Sequence, residues 1–291
     1  MSSIFVFPGQ GAQFVGMGYE LYKNNPVARD VFNAVDDALN IKLSDLIFNG
    51  PLEKLTMTEN VQPAIMATSI AMLHASKLQV PEYVAGHSLG EYTALCASGA
   101  LSIADTARIL RLRGRAMQQA AGDTGGITAV VLGLNIDTVR DICNKCDCDV
   151  ANDNCDGQVV ISGHTEVMEK TMLELKNAGA KRVMKLALSV PVHCRVQESA
   201  ALELRDALDK IELKKPIAKL ISNKTCTPID NPDEIKEALI YQMTHGVRWR
   251  ESVLSMVDLG IDDMTEIGPG NVLTGLTTRI TDKINAHKLE I

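Results

Sequence analysis

Tyr83-Val84-Ala85-Gly86-His87-Ser88-Leu89-Gly90-Glu91-Tyr92 is the stretch whose reading decides how this chain is built. Tyr83-Val84-Ala85 reads as a short buried strand, and Glu91 to Ala97 as a helix that stops at Gly99. Between them, Gly86-His87-Ser88-Leu89-Gly90 fits G-x-S-x-G, in which a sharp strand-to-helix turn pushes a serine out of a sheet. The flanking glycines avoid clashes, and the helix start supplies unpaired N–H groups and the positive end of its dipole. The Leu89 N–H is then placed to receive a developing oxyanion. A glycine-rich turn without chemistry would carry the same five residues; the strand before and the helix after favour a nucleophile.

Working outward, Ile4 to Phe7 is an apolar strand cut off by Pro8-Gly9 and followed by the turn Gly9-Gln10-Gly11. Pro63 to Leu78 and residues 103–121 carry helical spacing. Near residue 126 the rhythm changes. Ile127 to Leu132 is strand-like, Asp137 to Cys146 helical, Val159 to Ser162 strand-like, Thr165 to Ala178 helical and Arg182 to Leu188 strand-like. That β-α-β-α-β order suits a split βαβ unit. After Pro191 the larger pattern resumes, with helices near 195–210, 233–243 and 249–259, and strands near 217–222 and at Met264 to Glu266. The expectation is an α/β protein of two nested parts: a discontinuous large domain, 1–122 and 190–291, and an inserted subdomain, 123–189.

Composition narrows the function. With 291 residues, 46% apolar and 22% charged, the chain is too apolar for disorder. Aromatics are only 4%, so Ala, Val, Ile, Leu and Met must fill the core. The net charge is −7, split as −3 over 123–189 and −4 over the rest, which disfavours nucleic acid and anionic lipid as partners. No apolar run is long enough to cross a membrane, and MSSIFVFPGQG lacks the basic start of a secretory signal. Seven cysteines, an odd number, argue against a disulfide framework and for a reducing cytoplasm.

A serine nucleophile needs a base. His74 lies in an apolar helix, and the His87 side chain diverges from Ser88. Two candidates remain: His287 in a polar tail, the position hydrolase order favours, and His193, which Pro191 holds in a fixed segment. In the helix 103–121, Arg108, Arg111 and Arg115 share a solvated stripe, whereas Arg113 falls on the apolar side. A guanidinium there needs an anion, because it cannot shed its proton. It pairs either with an internal Asp or Glu or with a carboxylate on a substrate. The run Cys143, Cys146, Cys148 and Cys155 could bind zinc, but Cys148 lies past the end of the helix that carries the first two; no metal is expected.

Phe5-Val6-Phe7-Pro8-Gly9-Gln10-Gly11, Gly86 to Tyr92, Leu112-Arg113-Gly114-Arg115, Val190-Pro191-Val192-His193-Cys194 and Glu266-Ile267-Gly268-Pro269-Gly270 occur in this order. Over its whole length the chain resembles the malonyl-CoA:acyl carrier protein transacylases. The resemblance implies an α/β-hydrolase-like large domain with an inserted ferredoxin-like subdomain. It implies Ser88 as nucleophile and His193 as base, oriented by a backbone carbonyl near Gln242. It also implies Gln10 and Leu89 as oxyanion-hole donors, and Arg113 as the clamp for the malonyl carboxylate. Asn223 and His87, with Gln242, are expected beside the substrate. Malonyl-CoA and holo acyl carrier protein are the implied partners, with no cofactor, in a monomer serving fatty acid synthesis. A discrete acyltransferase or proofreading hydrolase of a polyketide synthase, and a non-catalytic carrier-binding module, are the alternatives. Val192, the stretch Thr244 to Trp249, and Asn154-Cys155-Asp156-Gly157 depart from the usual pattern, the second leaving the pocket edge near His245 open. Lys181, Arg182 and Lys185, with the Arg108/Arg111/Arg115 stripe, are candidate docking charges for an acidic carrier.

Overall fold

The computed structural model describes residues 2–122, 125–188 and 190–291. Two sheets organise them. The first has six strands: β1 (Ser2–Phe7), β2 (Tyr83–Gly86), β7 (Lys219–Ile221), β8 (Pro228–Ile229), β9 (Ile261–Glu266) and β10 (Asn285–Lys288), in the order β10-β9-β1-β2-β7-β8. All its neighbours run parallel except β7 and β8. Pleating sends Phe5 and Phe7 into the large core on one face, and Ile4 and Val6 into a second core around Trp249 on the other. A parallel strand covered on both sides must be apolar where it is buried, as β1 is over Ile4–Phe7.

The second sheet is antiparallel: β3 (Ile127–Leu132), β4 (Asp149–Cys155), β5 (Gln158–Gly163) and β6 (Arg182–Lys185), in the order β4-β5-β3-β6. The helices Ile136–Cys146 and Thr165–Asn177 complete a β-α-β-β-α-β unit of ferredoxin-like order. The expected β-α-β-α-β is therefore one strand short. The missing strand, Asp-Val-Ala-Asn-Asp-Asn-Cys, has poor β propensity. Its polar side chains serve the seam with the large sheet's domain. The Asp153 N–H donates to the Val247 carbonyl at 2.9 Å, the Asp153 carboxylate receives Arg250 at 2.8 Å, and Asn154 Oδ1 lies 3.0 Å from His87 Nε2. Asp123, Thr124 and Ser189, at the expected ends of the insertion, lie outside the described residues.

Two further differences bear on the site. Strand β6 stops at Lys185; the Leu186 N–H still donates to the Thr128 carbonyl at 2.8 Å, and 187–188 leave the sheet. The expected polar tail instead forms β10, after the helix Val272–Ile280. His287 thus sits on an edge strand beside Thr265 and Asp263. Strand order puts β10 three spacings from β2, roughly 14 Å.

Strands β1 and β2 pair with Phe7 opposite Gly86, so their two following turns leave the sheet side by side. Ligands of open parallel sheets bind outside such carboxyl ends. The glycines of the second turn are required by close approach. A Cβ on Gly86 would lie 1.9 Å from the Gly90 carbonyl carbon, and one on Gly90 would lie 2.2 Å from the Phe7 oxygen. Gly86→Ala is expected to lower stability by about 2 kcal/mol or more in urea unfolding. Gly275→Ala, in open space at an exposed position of the helix Val272–Ile280, should raise it by about 0.5 kcal/mol.

Candidate active site

Ser88 occupies the turn between β2 and the helix Gly90–Ala97 with φ of 55°, a left-handed conformation that a serine adopts only when its surroundings impose it. Here Asn223 imposes it: Asn223 Oδ1 accepts the Ser88 N–H at 3.0 Å, and its Nδ2 donates to the Gly86 carbonyl at 2.8 Å. The hydroxyl is thereby held 2.8 Å from His193 Nε2.

His193 also has positive φ, 53°. Its Nδ1 is 2.7 Å from the Gln242 carbonyl oxygen. A carbonyl only accepts, so Nδ1 carries the proton and Nε2 offers its lone pair to the Ser88 O–H. Burial, and next the Arg113 charge, push the imidazole down from its ordinary 6.5 to about 3. The ring is neutral at working pH, as a base must be.

Arg113, only 1% exposed, lies on the buried face of the helix Ile103–Ala121. Its Nη1 donates to Gln62 Oε1 at 2.8 Å, while Nη2 donates to Gln242 Oε1 at 3.0 Å and to Ser88 Oγ at 3.3 Å. Its carbon lies 5.6 Å from the Tyr92 ring centroid. Among the described residues, no carboxylate comes within ion-pair distance of it. Among the described residues no internal Asp or Glu pairs with this cation directly; Glu91 acts on it only from behind Gln242. Burial accordingly lowers its pKa.

These groups face one cavity of about 410 Å³, lined by Gln10, Gln62, His87, Ser88, Leu89, Arg113, Met117, Asn152, Val192 and His193, with Leu186 to Leu188 along one side. The backbone N–H groups of Gln10 and Leu89 come from the paired turns, and neither donates to another described residue. Gln242 and Asn223 do not line this wall, contrary to expectation; both are buried behind it and hold the residues that do. His87 is on the wall, fixed by Asn154 and tilted against Trp249. His245 is not; it stacks on Tyr241 with centroids 3.7 Å apart.

Sequence reasoning passed over Gln62 and Glu91. Gln62 is an amide set between Val61 and Pro63 at the start of an apolar helical run, which is the signal the sequence offers for it. Glu91 is fully buried, and burial raises its carboxyl to about 8. The arginine stripe is largely neutralised: Arg111 and Arg115 both pair with Glu59, and Arg108 with Asp105. Lys185 pairs with Glu169, while Lys181 and Arg182 are exposed. Cys143 and Cys148 pack in the small unit's core and Cys155 against the Trp249 cluster. Among the described residues no three His, Cys, Asp or Glu side chains gather closely enough to hold a metal ion.

A serine on a strand-turn-helix, a neutral imidazole and adjacent unused N–H groups are the parts of acyl transfer through a covalent intermediate. Residues 4–289 match the acyl transferase domain family, and the chain belongs to it. It is 41% identical to the malonyl CoA-acyl carrier protein transacylase of Bacillus subtilis, covering 98% of this chain and 92% of that one. Identity to the Escherichia coli protein of the same name is 38%, with 98% and 94% covered. The crystal structure of acyl-carrier-protein-S-malonyltransferase from Bartonella henselae superposes with a TM-score of 0.96 at 43% identity, over 99% of this chain and 95% of that one. A malonyl-transacylase in complex with a type II PKS acyl-carrier protein also scores 0.96, at 36% identity, over 99% and 96%.

Because the folded state holds His193 below the unfolded value of 6.5, the unfolded chain binds the extra proton. The His193 contribution therefore weakens folding as pH falls below about 6.5. The His193 ring protons are expected not to titrate by NMR between about pH 5 and 8.

Proposed function

We propose that the protein transfers the malonyl group of malonyl-CoA to the phosphopantetheine thiol of an acyl carrier protein, in fatty acid synthesis. The observation that carries this reading is the buried Arg113 guanidinium, 3.3 Å from the Ser88 hydroxyl, whose hydrogen-bond partners among the described residues are neutral oxygens. An acyl group ending in a carboxylate would place its thioester carbon at Ser88 and its charge at Arg113. The names of the relatives support the same substrates.

His193 Nε2 takes the Ser88 proton as Oγ attacks the thioester carbon. The carbonyl oxygen, now negative, rests on the N–H groups of Gln10 and Leu89. The Gln242 carbonyl, on the far side of the ring, stabilises the imidazolium. Collapse of the tetrahedral intermediate breaks the C–S bond, and the imidazolium proton goes to the departing CoA sulfur. The carrier thiol then gives its proton to His193 and attacks the malonyl ester, and the proton returns to Ser88. The protein groups in this scheme are side chains, backbone N–H groups and one backbone carbonyl, and no cofactor enters it. Residues 1–122 and 190–291 form the platform bearing these groups. The insertion 123–189 closes the cavity through Asn152 and Leu186 to Leu188.

Ser88→Ala should acquire no malonyl adduct by intact mass on incubation with malonyl-CoA; an adduct on another residue would overturn the assignment. Arg113→Ala should lose at least about 100-fold in kcat/KM for malonyl while keeping acetyl transfer, since acetyl leaves the guanidinium unpaired in the parent protein. Transfer and hydrolysis measured side by side separate a transferase from a proofreading hydrolase.

A further inference from the structure

Glu91 belongs to the motif that follows the serine, yet it does not touch the cavity. Its side chain is wholly buried on the first turn of the helix Gly90–Ala97. Both carboxyl oxygens receive donors. Oε1 accepts the Asn223 backbone N–H at 2.7 Å, and Oε2 accepts Gln242 Nε2 at 2.6 Å. The two donors lead to opposite ends of the site. Asn223 holds the Ser88 N–H through its own Oδ1. Gln242 turns its Oε1 to Arg113, and its Nε2 also lies 3.1 Å from the Ser88 carbonyl and 3.2 Å from Asn223 Oδ1.

The Gln242 amide has one oxygen and one NH₂ group, and the two are not interchangeable here. Were it turned over, the NH₂ would point at the guanidinium, a donor against donors. Neutral acceptors at Ser88 and Asn223 help keep the NH₂ on the inner side, and the Glu91 carboxyl is its shortest contact there. A fully buried carboxyl is costly to keep, and burial raises its pKa. A buried acid placed where it sets the direction of one amide has a reason to be there.

We propose that Glu91 is a positioning residue for the acid clamp: through the Gln242 amide it fixes the direction of the Arg113 fork, and so the preference for acyl groups that end in a carboxylate. This rests on the acyl-transfer reading above and adds a residue to it. Glu91→Gln replaces one accepting oxygen with an NH₂, so that either the Asn223 or the Gln242 donor loses its partner or the Gln242 amide turns over. Gln242→Met removes the link while keeping the backbone carbonyl that receives His193.

The test is the ratio of kcat/KM for malonyl-CoA to that for acetyl-CoA, with transfer to a carrier protein, in Glu91→Gln, Arg113→Ala and the double variant. The expected result is a fall of roughly 10-fold or more in the ratio for Glu91→Gln, and no further fall when it is added to Arg113→Ala. A merely structural role would lower both substrates together and leave the ratio where it was; that outcome, in a folded Glu91→Gln protein, overturns the proposal. If Glu91→Gln does not fold, Gln242→Met carries the test. A ratio unchanged in Gln242→Met overturns the proposal, and a ratio that falls only in the presence of Arg113 supports it. Failure of the acyl-transfer reading would show separately, as a parent protein that moves no malonyl or an Arg113→Ala variant that keeps its preference.

Discussion

The constraint on which the rest of this structure turns is a permanent positive charge on an almost wholly buried side chain. Arginine cannot relieve burial by losing its proton, so the fold must supply oxygen around Arg113 or leave a place for an anion. It does both. Gln62 from one helix and Gln242 from another give neutral oxygens that hold the fork without cancelling its charge. An aspartate in either place would have made a more comfortable protein and a closed site. The surplus charge also reaches His193, where it adds to burial in keeping the imidazole neutral and ready to take a proton.

Around that charge, several helices and loops must agree to within hydrogen-bond distances, and most of them meet at Gln242. Its backbone carbonyl orients the base, its side-chain oxygen meets the clamp, and its side-chain nitrogen reaches the carbonyl of the nucleophile and the Glu91 carboxyl. Gln242 and Glu91 are themselves off the cavity wall. Behind the groups that would touch an acyl chain stands a polar layer whose members satisfy one another, and polar layers so enclosed hold a single geometry because each lost bond is expensive. The left-handed backbones of Ser88 and His193 are kept by the same layer and by the close-packed glycines of the turn.

The inserted sheet enters this arrangement from the side. Its contact with the large domain is made mostly by β4, through Asn152, Asp153 and Asn154, and the last of these steadies the ring of His87 beside the serine. Polar side chains that weaken β4 as a strand are the ones that make it a seam. The same trade explains why its sequence does not announce it: β propensity describes residues that fit a half-buried pleated surface, whereas these are chosen for partners on another sheet.

Much could be read from the chain alone, and the reason is local. The elbow at Ser88 is legible because glycine is needed at fixed offsets from the nucleophile, and the helix Ile103–Ala121 because 3.6-residue spacing exposes Arg113 as a charge on an apolar face. The two nested α/β parts follow from changes in that spacing along the chain. What spacing could not decide was which partner each group would find. Whether Arg113 meets an internal acid or a cavity, whether His193 or His287 faces the serine, and where β4 and β10 lie depend on strand order and on residues more than a hundred positions apart. Gln62, Glu91 and Gln242 acquire their places only when the parallel sheet brings the ends of β1 and β2 together and the surrounding helices pack over them. Local pattern reports the conformation of a segment; the identity of its neighbours is a property of the folded whole.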